Sequence, residues 1–349
     1  MPAKSRSRSK PAKSSFAKAV AKTQREANPR KPFRDIWKDG VTYTFLAEFL
    51  QCRESARLSY VEGWSQKGLI EALEFGSAIH KCLEAAASGD PHNYDRVLNL
   101  HRKERLPYLQ PGVIHDFDRI MDMARIVFPR YYAYWLAKGG MEHQPDATFL
   151  SSEEKFEIPY TLPDGRIINI RGRFDAVLNY KGQIWLMEDK TKSVVDDRIT
   201  DYLPHDLQTM LYCHAIKQVY GQTVSGILYN VIRRPGLRLG KKETVPELLT
   251  RIQQDVGERP EHYYLRWMVA LAPDDVANWS SRVLTPVLNQ VCLWWDEVSQ
   301  NPFDPWSIPN RIHHFQNPEG LYTKYGRSNY FDMLTKGSDH GLYRRKAGK

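Results

Sequence analysis

The 349-residue sequence has little cysteine and no long hydrophobic run. Its four cysteines, at positions 52, 82, 213 and 292, form no CxxC pair, so we expect neither a secreted disulfide framework nor a compact zinc site. The longest weakly polar run, 283–295, contains a proline and polar residues, which excludes a membrane-spanning helix. No apolar signal segment follows the N-terminus, and together these absences predict an intracellular protein without membrane contact.

Acidic residues are almost absent from the first 34 positions. This segment holds 11 Lys or Arg residues and one acid, Glu26. Its net charge is therefore +10, whereas the net charge of the entire chain is +9. It is also poor in large apolar side chains, so it cannot bury enough surface to offset the entropy of ordering. We predict a disordered basic tail over residues 1–34. Such a tail either binds phosphate backbones through counterion release or only keeps the protein soluble.

The composition, 42% hydrophobic and 26% charged, is that of a globular protein, and we expect residues 35–349 to form a single domain. Apolar residues at helical spacing predict four helices, which cover residues 43–60, 64–87, 113–138 and 204–220. Alternating patterns bounded by turn residues predict four strands, which cover residues 153–161, 166–180, 183–190 and 224–233. This order of elements favours an α/β domain with a mixed sheet.

Two of the predicted strands place acidic side chains opposite each other. A two-residue turn at 181–182 pairs the strands so that Asp175 lies opposite Glu188. Like charges in this arrangement are destabilising unless a cation lies between them. Because side chains alternate along a strand, Glu188 and Lys190 share that face while Asp189 points the other way.

Two carboxylates and a lysine suit metal-assisted hydrolysis of a phosphodiester. Hard oxygen ligands of this kind prefer Mg²⁺ or Mn²⁺. The metal would activate a water molecule, and Lys190 could orient that water or assist its deprotonation. In isolation, the favoured interpretation of the same three residues is an ordinary surface network of charges.

Four segments, taken in order, resemble the PD-(D/E)xK nuclease superfamily, and within it the RecB-like branch of phage exonucleases and CRISPR adaptation nucleases. These segments are Gly76-Ser77-Ala78-Ile79-His80, Gly172-Arg173-Phe174-Asp175, Glu188-Asp189-Lys190-Thr191 and Gln208-Thr209-Met210-Leu211-Tyr212. The resemblance extends over residues 43–335. It implies a restriction-endonuclease-like core, with a mixed central β-sheet flanked by helices and additional helical parts at the N- and C-terminal sides.

The resemblance also implies roles for individual residues of the site. His80, Asp175, Glu188 and the backbone carbonyl of Asp189 would bind the metal, Mg²⁺ or Mn²⁺. Asp175, Glu188 and Lys190 would form the catalytic set.

Three further residues of the resemblance have open alternatives. Gln208 and Tyr212 are four positions apart on one helix face and would hold DNA near the metal. The alternative for Tyr212 is a buried aromatic residue of the helix. Glu154 resembles a further acid of these nucleases, although a solvent-facing carboxylate is an equal alternative.

The sequence departs from many relatives in its cysteines. Those relatives hold an iron-sulfur cluster with one early and three late cysteines. Cys52 matches the early position, but the late segment, 325–337, contains no cysteine, so we expect no iron-sulfur cluster. We predict that the C-terminal segment is held instead by aromatic packing of Phe315, Tyr322, Tyr325, Tyr330 and Phe331.

From these features we expect a Mg²⁺- or Mn²⁺-dependent deoxyribonuclease, and specifically an exonuclease of phage-type recombination or DNA processing that acts on DNA ends or single strands. A phage-encoded protein in the cytoplasm of a host cell would fit this role. The segment 236–241 is one residue short of a phosphate-binding loop, so the nuclease would either act alone or recruit a separate motor or single-strand annealing protein. The alternatives are a non-catalytic DNA-binding or assembly protein with the nuclease fold, and a CRISPR adaptation-type nuclease.

Overall fold

A computed structural model of the chain describes residues 32–195, 198–300, 318–323 and 326–345. The predicted basic tail lies outside the described residues except for positions 32–34. Within the described ranges, the structure contains no helix with the length and apolar character needed to cross a membrane.

Helices make up the larger part of the regular structure. The α-helices are α1 (Ile36–Asp39), α2 (Tyr43–Gln51), α3 (Arg53–Ala56), α4 (Glu71–Ala87), α5 (Tyr94–Arg105), α6 (Ile114–Lys138), α7 (Ile199–Tyr202), α8 (Leu207–Tyr220), α9 (Val245–Glu258), α10 (Pro260–Tyr263), α11 (Asp275–Trp279), α12 (Thr285–Gln300) and α13 (Phe331–Lys336). The strands are β1 (Val41–Thr42), β2 (Trp64–Gln66), β3 (Ala147–Ser152), β4 (Lys155–Thr161), β5 (Ile167–Arg173), β6 (Ala176–Tyr180), β7 (Gln183–Lys192), β8 (Val224–Arg233), β9 (Tyr264–Ala270), β10 (Tyr322–Thr323), β11 (Gly326–Arg327) and β12 (Leu342–Arg344).

A five-stranded mixed sheet forms the centre of the fold, in the order β3-β6-β7-β8-β9. Strands β7 and β8 are parallel and are connected through helix α8, whereas the other neighbouring pairs are antiparallel. A smaller sheet contains β1, β5 and β4. The expected α/β class, with a mixed sheet flanked by helices, is confirmed.

The two faces of strand β7 belong to different parts of the core. Ile184 and Leu186 pack in the cluster that includes helix α8, whereas Trp185 and Met187 pack in a separate cluster with Met141. Because side chains alternate along a strand, the next residues, 188 and 189, continue to opposite faces. A third cluster joins helices α4, α6 and α9.

Several predicted elements agree with the structure. The strand predicted over 224–233 is β8, with the same bounds. The helix predicted over 113–138 is α6, which ends at Gly139 in the left-handed conformation (φ 66°), a common helix terminator. The helix predicted over 204–220 begins slightly later, as α8.

Other predicted bounds are wrong. The predicted helix 43–60 is interrupted at Cys52, where the backbone is extended, and it ends as a π-helix over Arg57–Val61. The predicted helix 64–87 begins only at Glu71, since residues 64–66 form β2. Helix α5 and strands β3 and β9 had not been predicted.

The predicted strand 166–180 is in fact two strands in two different sheets. Strand β5 pairs with β4, and β6 pairs with β3 and β7. The chain passes between the sheets at Phe174 and Asp175. Both strands are partly buried and no glycine or proline separates them, so alternation alone could not reveal the break.

The C-terminal segment packs against the N-terminal helices. Tyr330 is buried with Leu58, Met333 and Leu342, and its hydroxyl donates a 2.9 Å hydrogen bond to the carbonyl of Trp64. Of the other residues in the predicted aromatic packing, Tyr322 and Phe331 are in contact, with their ring centroids 5.5 Å apart. Phe315 and Tyr325 lie outside the described residues.

All four cysteines are buried free thiols.

Candidate metal centre

Three side chains converge where strands β3 and β6 approach helix α4. One ligand-type atom from each of His80, Glu153 and Asp175 lies within 4.8 Å of the others. Nδ1 of His80 is 3.0 Å from Oε1 of Glu153 and 3.7 Å from Oδ1 of Asp175. We call these three residues the metal-ligand group, because carboxylate and imidazole donors together suit a divalent cation.

Helix α4 brings His80 to this position through a close contact with strand β7. Gly76 lies one helical turn before His80, and a Cβ atom at Gly76 would be 2.9 Å from Oγ1 of Thr191. A side chain at position 76 would therefore separate the helix from the strand. The glycine of the first recognised segment thus has a packing role.

Asp175 lies where the chain passes between the two sheets, and two hydrogen bonds fix it there. Its Oδ2 accepts a 2.9 Å hydrogen bond from the main-chain N–H of Asp189, and its main-chain carbonyl accepts one of 2.9 Å from the N–H of Glu153. The adjacent ladder pairs Ala176 with Met187 and Tyr180 with Gln183. This is the predicted register, and it places Asp175 just before the ladder, next to Glu188.

The acid from the β3–β4 connection is Glu153, which the sequence analysis missed, and not Glu154. The backbone of Glu153 is left-handed (φ 51°), and its carboxylate also pairs with Nε of Arg173 at 2.8 Å. Glu154 is exposed and accepts a 2.8 Å hydrogen bond from the hydroxyl of Tyr220. The left-handed residue interrupts the alternation of the strand, so the sequence pattern could not tell which acid faces the site.

Glu188 and Lys190 form a second group. Glu188 is completely buried, and its Oε1 accepts a hydrogen bond from Nζ of Lys190. Its Oε2 is buried without a hydrogen-bond partner among the described residues. Glu188 is not part of the metal-ligand group. The charge of Asp175 nevertheless raises the pKa values of both Glu188 and His80.

The protonation of these residues reflects a crowded acidic environment. Burial raises the pKa of Glu188 and the charge of Asp175 raises it further, whereas the charge of Lys190 lowers it. Burial lowers the pKa of His80, but the hydrogen bond to Glu153 and the charges of Asp175 and Asp189 outweigh burial and raise it to about 9. A cation among these acids would relieve the same repulsion. The unpartnered oxygen of Glu188 and the donor set of the metal-ligand group therefore fit a divalent metal.

The side chain of Asp189 belongs to a buried network that no sequence pattern predicts. Its Oδ1 accepts a 2.8 Å hydrogen bond from Asn230, whose own side-chain oxygen accepts one from Nε of Arg266. Arg266 in turn donates 2.7 Å and 2.8 Å hydrogen bonds to the two oxygens of Glu142. The network crosses β7, β8 and β9 and holds the strand that carries Glu188 and Lys190.

Tyr212 is a buried residue of α8, with a polar end near the site. Its ring meets those of Phe156 and Phe174 edge-on. Gly172 allows this packing, since a Cβ atom there would be 2.4 Å from Cζ of Phe156. The side chain of Gln208 hydrogen-bonds the Tyr212 phenol, and burial raises the pKa of that phenol to about 12. Gln208 itself is half-buried, so its contact with DNA stays a prediction, as does that of Tyr212.

Comparison with known proteins gives a family match. The family model of the PD-(D/E)XK nuclease superfamily matches residues 41–306. No curated protein matches the chain. A solved structure described as "Crystal structure of SSO0001" is 11% identical, covers 78% of this chain and 91% of its own, and has a TM-score of 0.25. A similarity this distant carries no argument about function.

Proposed function

This chain belongs to the PD-(D/E)XK nuclease superfamily, and from that premise we propose that it hydrolyses DNA phosphodiester bonds with a divalent metal ion. The observation that supports the proposal is the convergence of His80, Glu153 and Asp175 next to the ion pair of the buried Glu188 and the partly exposed Lys190. Carboxylates placed close together repel each other, and such groups with perturbed pKa values are concentrated at functional sites.

The metal-ligand group would hold the ion, with Glu188 and the backbone carbonyl of Asp189 as further ligands. Oxygen-rich donors favour Mg²⁺ or Mn²⁺. When bound, such an ion neutralises charge on a phosphoryl oxygen and lowers the pKa of a water molecule.

The residues of the chain would position and activate the reactants. Nζ of Lys190 is anchored by Glu188 and keeps a positive charge, because the charges of Glu188 and Asp175 raise its pKa against the effect of burial. An ammonium group held in this way orients the attacking water and stabilises negative charge at the phosphate. Gln208 and Tyr212 would hold the strand through donors to its phosphates.

We further propose the finer role that the four recognised segments imply. The protein would be a RecB-like exonuclease of the phage type that acts on DNA ends or single strands in recombination, repair or other DNA processing. The basic tail would raise the local affinity for DNA. A single-strand annealing or motor protein would be its partner.

Incubation of labelled linear and circular DNA with Mg²⁺, Mn²⁺ or chelator tests the proposal. We expect metal-dependent cleavage of linear DNA, and loss of cleavage in Lys190→Ala and Asp175→Ala while DNA binding persists, since these changes remove chemistry more than phosphate contacts. Cleavage of circular DNA would assign an endonuclease. DNA binding without cleavage under every condition would instead support a non-catalytic protein. A near wild-type rate in Lys190→Ala would refute the assignment of the site.

A further inference from the structure

A cavity of about 220 Å³ opens directly beside the metal-ligand group. Glu153 and Asp175 form part of its wall, and Tyr131, Tyr132, His143 and Phe149 line other parts of it. The cavity is smaller than the ~300–1,000 Å³ typical of pockets for drug-sized ligands. It therefore has room for one small group and excludes a duplex.

The charges of the wall restrict the occupant further. The ionisable groups around the cavity are mainly carboxylates, and Glu142 is already paired with the buried Arg266. A phosphate placed inside would be repelled by these carboxylates. An uncharged aromatic group would instead meet the rings of Tyr132, His143 and Phe149, which line the cavity.

We propose that this cavity receives the unpaired base of the nucleotide whose phosphate lies at the metal-ligand group. The inference rests on the proposed nuclease function and names its substrate as a nucleotide with a free base. Aromatic side chains stack on any base, so the cavity would accept all four bases with little sequence preference. A paired base must first leave its helix, so frayed or single-stranded ends are the favoured substrates.

A double-mutant cycle between protein and substrate tests the proposal. The substrates are single-stranded oligonucleotides with either a normal or an abasic nucleotide at the cleaved position. Each substrate is prepared for cleavage from the 5′ end and from the 3′ end. The wild-type protein and Tyr132→Ala are tested on the normal and on the abasic substrates. Loss of one stacked base should lower kcat/KM by about 5- to 150-fold. Tyr132→Ala should lower kcat/KM on the normal substrate but change it little on the abasic one. Equal losses on both substrates, or equal cleavage of both substrates by wild-type protein, would overturn the proposal.

Two control variants separate the base contact from a general disturbance of the fold. Tyr132→Phe keeps the ring and should behave as wild type. Tyr108→Ala removes a tyrosine that is 80% exposed and does not line the cavity, and it should leave both substrates unaffected.

A binding measurement distinguishes failure of this inference from failure of the proposed function. If no DNA is cleaved with Mg²⁺ or Mn²⁺, the nuclease proposal fails. Fluorescence anisotropy then gives the Kd of each protein for each substrate, and the same double-mutant cycle is calculated from these Kd values. A loss of affinity that depends on both the base and Tyr132 would then still support the cavity, whereas independent effects would refute it.

Discussion

The main-chain N–H of Asp189 donates a 2.9 Å hydrogen bond to Oδ2 of Asp175. The other carboxylate oxygen of Asp175, Oδ1, lies 3.7 Å from Nδ1 of His80. Asp175 is therefore held by the backbone of β7 on one side and faces the histidine on the other. Its carboxylate connects the metal-ligand group with the strand that carries Glu188 and Lys190.

This double role predicts different results for two substitutions of Asp175. Asp175→Asn keeps an acceptor for the N–H of Asp189, whereas Asp175→Ala leaves that donor unpaired. Both variants should lose cleavage, but only the alanine variant should lose stability, by about 1–3 kcal/mol. Urea denaturation measures the free energy of unfolding. Equal stabilities of the two variants would contradict the structural role of this bond.

The adjacent acids at 153 and 154 provide a matched pair. Glu153→Gln removes a charge from the metal-ligand group and should weaken metal affinity by at least the ~10- to 100-fold that loss of an outer-shell partner costs. Glu154→Gln changes an exposed residue bound to Tyr220 and should leave metal affinity unchanged. Isothermal titration with Mn²⁺ compares the two, and a larger effect of Glu154→Gln would reverse the assignment.

Gly76 should control the position of His80. A Cβ atom at position 76 would be too close to Oγ1 of Thr191, so Gly76→Ala should displace helix α4 and with it the imidazole. Displacements near 1 Å can reduce activity about 100-fold. Thr191→Ala removes the obstructing oxygen, and the double variant should recover activity. If the double variant cleaves no faster than Gly76→Ala, the contact does not set the histidine position.

Arg266 should be essential for stability. Its guanidinium is buried and pairs with Glu142 while contacting Asn230. Arg266→Met leaves Glu142 buried and unpaired, which should cost about 3–5 kcal/mol. Arg259→Met is a suitable control, because Arg259 pairs with Asp255 on an exposed surface and its loss should matter much less. Chemical denaturation followed by circular dichroism compares them, and similar losses would contradict this prediction.

Glu48 should make the stability depend on pH. Burial raises its pKa from 4.5 to about 7, against the hydrogen bond from Ser59 and the charge of Arg345. The folded state therefore keeps this proton to a higher pH than the unfolded state does. The contribution of Glu48 to the free energy of unfolding is full below pH 4.5 and is lost as the pH rises towards 7. Relative to Glu48→Gln, which stays neutral, the wild type should lose up to about 3 kcal/mol over this interval. Parallel stability curves of the two proteins would refute the prediction.

The register of the central hairpin could be predicted because its turn leaves only one arrangement. A two-residue turn at 181–182 and a side-chain period of two fix the partner of every residue from 176 to 187. The same register makes Asp175 and Glu188 neighbours. Strand β8 was predictable for a similar reason, since a continuous apolar pattern marks a strand buried on both faces.

The remaining parts of the site depend on contacts between distant segments. The contribution of Glu153 depends on a left-handed backbone at the end of β3, where the pattern of alternation stops. The bonds from Asp189 to Asn230 and from Asn230 to Arg266 join residues 41 and 36 positions apart. Local propensity carries no information about such pairs, because they form only when three strands have assembled.

Strand β12 pairs with β2 in an antiparallel arrangement, Leu342 opposite Gln66 and Arg344 opposite Trp64, and this pairing constrains the order of folding during synthesis. Nε of Arg344 bonds the carbonyl of Glu62 across 282 sequence positions, and Tyr330 fills the space beside Leu58. A ribosome adds about 5–20 residues per second, so residues 57–66 remain without these contacts for many seconds after their synthesis. The central sheet, which is complete at residue 270, can form well before that region is covered. Chaperone binding to nascent chains should therefore concentrate on the apolar surface that Leu58 and Trp64 expose during this delay.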